Sequence, residues 1–162
     1  MADFSAVGTD TRRPRSSRKE RTERVLLIAL SPAREKLLLE EPELVQAIVR
    51  ERAKVPRSVE FDARFAALQE ALLELASKSG TPRGHAEALT PRAGTLLYED
   101  QDIDAAQLVD AVAAQSIARW VTGLPAAVIA RSSFEAELVR LQKFYQELAS
   151  LGHALLSVRF RD

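Results

Sequence analysis

Few side chains in this sequence are equipped for chemistry. Two histidines, His85 and His153, are its only imidazoles, and cysteine is absent. Disulfides, thiolate nucleophiles, iron–sulfur clusters and cysteine-ligated zinc are thereby excluded. His85 lies among Pro82, Gly84 and Pro91 in a stretch that reads as a connector. An exposed imidazole there titrates near about pH 6.5 and can exchange protons with a nearby carboxylate. His153 directly follows Gly152, so its first reading is structural, as a group that helps satisfy the last carbonyls of the preceding helix. Neither glycine-rich phosphate loop occurs, nor a nucleophile elbow, nor a histidine pair at metal-ligand spacing. No cofactor and no metal site is expected.

Carboxylates supply the other candidates. Glu99, Asp100, Asp102 and Asp104 form the densest acidic run. Oxygen ligands suit hard cations, but this run lacks the glycine and the distal glutamate of a calcium loop. It is read as a helix entrance, with acidic groups favouring the positive end, and as the surface where a protein partner would dock. Glu40, Glu41 and Glu43 flank Pro42 and are read as a solvated turn. Tyr98 and Trp120 are read as core or rim packing, with a binding cleft as the alternative.

The 23 basic and 23 acidic residues cancel, so no global field recruits nucleic acid or an anionic membrane. The distribution is uneven. Residues 1–24 carry seven basic against four acidic side chains, net +3, leaving 16 against 19, net −3, in the remainder. Residues 1–23 lack apolar periodicity and are expected to form a disordered basic tail ahead of one domain spanning 24–162. Weak, salt-dependent contact with phosphates is the tail's alternative role. Residues 25–30 are too short to span a membrane, which takes about 20 residues, and no signal peptide is apparent. A cytoplasmic protein is expected.

The elements that must position these groups follow from local pattern. Val25-Leu26-Leu27-Ile28-Ala29-Leu30 is apolar without alternation, as in a strand buried on both faces. Ser31-Pro32 opens a helix, with serine as the N-cap, and Pro42 breaks it, serving as the first residue of a second helix. Phe61, Phe65, Leu68, Leu72 and Leu75 make one helical stripe ending near Gly80. Residues 95–98 suggest a short strand. A helix is expected from Asp102 or Asp104 through Leu108, Val109 and Val112 to Gly123. Ser132 and Glu135 have capping-box spacing for a last helix, which Gly152 terminates. The final residues alternate around Val158 and Phe160 and predict a strand pairing with the first. The fold class is α+β: a mainly helical single domain with a small sheet that includes the N-terminal and C-terminal strands.

Several landmarks occur in a familiar order. Leu30-Ser31-Pro32, the acidic Glu41-Pro42-Glu43-Leu44 turn, the run from Val59 through Asp62 and Phe65 to Leu68, and Phe144-Tyr145 before the Gly152 end together resemble the YfbM-like family of uncharacterised bacterial proteins. Phe65 stands where tryptophan is usual in that family, and Gln69-Glu70 replaces a histidine-containing section. The resemblance implies a compact α+β protein, and some relatives that look like accessories of toxin–immunity loci imply a protein partner. The expectation is therefore a non-enzymatic protein-binding or immunity-like regulatory protein acting through Glu99, Asp100, Asp102 and Asp104. The alternative is a metal-independent hydrolase or small-molecule binder using His85.

Overall fold

The structure, a computed structural model, describes residues 22–78 and 94–162. Its centre is a pair of eight-residue strands, β1 (Glu23–Leu30) and β5 (Ala154–Arg161). They run antiparallel in register from Glu23 opposite Arg161 to Leu30 opposite Ala154. The short β2 (Ser58–Phe61) flanks β1. On the other side, β4 (Ile103–Val109) pairs with β5, and β3 (Thr95–Tyr98) forms the far edge. The order is β2-β1-β5-β4-β3, antiparallel throughout.

Burial on both faces explains why β1 shows no alternation. Leu26, Ile28 and Leu30 join Leu156, Val158 and Phe160 in one core, beneath α1 (Pro32–Glu40) and α2 (Leu44–Arg50). Val25, Leu27, Ala29 and Leu155 face the other core. That core is closed by α3 (Phe65–Lys78), α4 (Ala111–Thr122), the short α5 (Ala126–Ala130) and α6 (Glu135–Leu151). The α+β class with a small sheet uniting the first and last strands is as expected. Helices on both faces make it a three-layer arrangement. No helix among the described residues is long and apolar enough to cross a membrane.

Local chemistry sets the helix ends. Ser31 Oγ accepts from the Arg34 amide and Pro32 opens α1. Gly152 takes φ 66°, in the left-handed region, and ends α6, as glycine does at little cost. Edge strand β2 is partly shielded, because Arg140 Nη2 donates to the Glu60 carbonyl at 2.6 Å, leaving fewer open groups for a foreign strand.

Four expectations are corrected. Phe61 belongs to β2, not to the helical stripe: it pairs with Val25, and α3 starts only at Phe65. Asp62 makes the corner, its Oδ1 accepting from the Arg64 amide at 2.9 Å. Pro42 sits in the turn before α2, its carbonyl accepting from the Val45 amide. Residues 103–109 are strand rather than helix, and α4 begins after the Asp110 cap, whose Oδ1 accepts from the Ala113 amide at 2.8 Å. The Ser132–Glu135 capping box does not form. Ser132 Oγ accepts from the Phe134 amide, delaying the helix until Glu135. The expected Gly80 cap and the 81–92 connector lie outside the described residues.

Candidate functional site

Glu99, Asp100 and Asp102 lie in the turn between β3 and β4, and Asp104 in β4 itself, not at a helix entrance. Asp100 closes that turn. Its Oδ1 accepts from the Asp102 and Ile103 amides, each at 2.8 Å, and its own amide donates to the Ile103 carbonyl at 2.9 Å. Its Oδ2 accepts from Gln46 Nε2 and from the Tyr98 hydroxyl, each at 2.9 Å. The Gln46 amide also donates to the Tyr98 oxygen. These donors, Gln46 foremost, hold the Asp100 carboxyl down at about 2, since hydrogen bonds to the charged form favour it. Desolvation and then the hydrogen bond to Asp100 push the Tyr98 hydroxyl up. Asp104 lies 3.4 Å from Arg161 Nε, and the Asp102 carbonyl accepts from the Arg161 amide. Glu99 is exposed.

Gln46 belongs to α2, so its bonds bring a second acidic segment to this turn. Glu40, Glu41 and Glu43 are exposed around Pro42, and Glu43 acts electrostatically on Tyr98. The two acidic segments that the sequence separates thus share one side of the molecule. Next to them on α1, Leu37 and Leu39 are 44% and 55% exposed. Leu37 also lines an apolar groove of about 360 Å³ with Leu44, Ile48 and Val55.

The other candidates separate. His85 lies outside the described residues, as does most of the basic tail, although β1 already begins at Glu23. His153 closes α6 through its backbone, its amide donating to the Leu148 carbonyl, while its Nδ1 is buried without a partner. Trp120 packs against the core beneath α3–α6 and Tyr98 against the opposite core, so the two share no cleft. Among the described residues no group of three or more metal-ligating side chains is gathered to hold an ion.

Sequence reasoning gave no sign of a cavity of about 150 Å³ between α3 and the β1–β5 face. Arg159, Gln69 and Val25 line it, with Glu23, Asp62 and Glu70. Arg159 Nε and Gln69 Nε2 are buried without partners. Along the same sheet face Ser157 stands opposite Gln107, and their Oγ and Oε1 are likewise buried and unpartnered. Alternation along β5 hinted that Arg159 points away from the Val158 core. Nothing in sequence placed Gln69 at the same cavity. Comparison with protein families, with curated proteins and with solved structures finds no match to this chain.

Proposed function

We propose that this chain is a non-enzymatic cytoplasmic protein that binds another protein, in an immunity-like or regulatory role. The docking surface is the acidic face made by the β3–β4 and α1–α2 turns. The observation that carries the reading is the Gln46 to Asp100 hydrogen bond at 2.9 Å, which joins residues 54 apart in sequence. It sets Glu43 and Glu99 on one surface beside the exposed leucines of α1. Exposed carboxylates beside exposed apolar side chains suit a partner presenting basic residues about an apolar anchor, although Arg34 and Lys54 also line the groove that Leu37 enters. The bonds of Asp100 also order the turn before any encounter, which lowers the entropy lost on binding. Membership of the YfbM-like family belongs to the same proposal, supported by the landmarks from Leu30 to Tyr145.

The test is capture of partners from the native cell with identification by mass, followed by binding kinetics on the purified pair. Reversing Glu43→Lys and Glu99→Lys together, with Asp100 left intact, should slow association about tenfold and reduce its salt dependence. An authentic partner that binds the double variant with unchanged rate and affinity overturns the assignment of this face.

A further inference from the structure

We infer that the cavity beneath α3 is a binding site for a small zwitterion, an α-amino acid with a short side chain. Arg159 and Gln69 line it, and one nitrogen of each, Arg159 Nε and Gln69 Nε2, is buried and without a hydrogen-bond partner. Leaving such groups unpaired is unfavourable, most of all for part of a guanidinium. An acceptor anion that these two side chains turn to hold satisfies both, and a carboxylate matches a planar guanidinium edge. The rim has the opposite character. Glu23, Asp62 and Glu70 line the same cavity and are exposed. Asp62 spends one oxygen on the Arg64 amide.

Among the described residues the lining therefore holds one cation, Arg159, and three exposed carboxylates. A simple anion would satisfy Arg159 but meet repulsion at the rim, and a simple cation would leave the donors unpaired. A molecule with a carboxylate at one end and an ammonium at the other meets both demands. Size narrows the class. The cavity's 150 Å³ is about five times a water molecule's share of liquid volume. Val25, Phe65 and Leu73 supply apolar wall, which suits a methyl or similarly short side chain.

This site lies on the opposite sheet face from α1 and α2, so its fate is independent of the protein-docking proposal. The experiment titrates the full chain with L-alanine by calorimetry, with propionate and ethylamine as single-charge controls. Saturable binding of L-alanine with neither control binding is the expected result. Gln69→Leu should weaken that binding at least tenfold without lowering the melting temperature of the free protein, because it removes an unpaired buried group. Arg159→Lys, which keeps the charge but loses the planar edge, should weaken it similarly and serves if the first variant fails to fold. The inference is overturned by no saturation up to about 10 mM. Propionate binding as tightly as L-alanine, or full affinity retained in both variants, overturns it as well.

Discussion

Asp100 shows how one carboxylate can be legible in sequence and its task invisible. The acidic run announces itself by composition, but which member is structural depends on bonds to Gln46, Tyr98, Asp102 and Ile103. Gln46 is 54 positions away, beyond the reach of any local rule. The consequence can be measured. The Asp100 carboxyl is lowered from 3.8 to about 2 in the folded chain. A carboxyl depressed by folding contributes stability that is fully present above its unfolded value and is lost as pH falls through the folded one. Stability should therefore decline between about pH 4 and 2 in part because of this group. In Asp100→Asn that portion of the acid limb should flatten, with lower stability at neutral pH, as followed by thermal unfolding at a series of pH values. The α2–hairpin bridge should loosen in the same variant, seen as faster amide exchange at Ile103.

The β3–β4 hairpin is the element whose identity local pattern misjudged. Ala105, Ala106, Gln107 and Leu108 are unremarkable in a helix, and Leu108, Val109 and Val112 repeat at helical spacing across the Asp110 cap. What makes residues 103–109 a strand is tertiary: Ile103, Ala106 and Leu108 enter one core while Val109 enters the other. Phe61 misleads in the same way, lying one turn before Phe65 by count while belonging to β2. By contrast, α1 and the end of α6 were readable because Ser31, Pro32 and Gly152 act on their immediate neighbours. The hairpin also contains a position where only glycine fits. A Cβ on Gly94 would lie 2.7 Å from the Leu108 carbonyl oxygen and 3.0 Å from its carbon, both backbone atoms of the paired strand. Gly94→Ala should cost about 1–3 kcal/mol, the usual range for overpacking, read from urea unfolding. Its effect should concentrate on β3, with early loss of protection at Tyr98.

At the scale of the whole molecule, one sheet divides two cores, and neither can empty without exposing the other's floor. Leu68 lies in the core beneath α3–α6 and Leu156 in the core beneath α1 and α2, both 0% exposed. Each leucine-to-alanine change should destabilise by about 2–5 kcal/mol. Both should shift one common transition, because β5 contributes to both cores. Val112→Ala, at a site 79% exposed, should move it by less than about 0.5 kcal/mol. Coincident fluorescence and circular-dichroism curves for the two core variants check this, and a plateau between two steps would contradict it. Fold class and the partnership of first and last strands were readable at this scale, since both strands are marked by their own residues. The cavity was not, because it exists only where α3 crosses Arg159.

The central position of β5 bears on how the chain can be made. It separates β1 from β4, yet all four other strands precede it in synthesis. Until residues 154–161 leave the ribosome, the β1–β2 pair, linked through α1 and α2, and the β3–β4 hairpin have no common neighbour, and each has apolar flanks facing water. Closing the sheet then joins residues at opposite ends of the chain, the long-range pairing that slows folding. Until β5 is made, a translating ribosome therefore carries the four earlier strands as an unfinished, aggregation-prone intermediate, a period in which a nascent-chain chaperone has an exposed client.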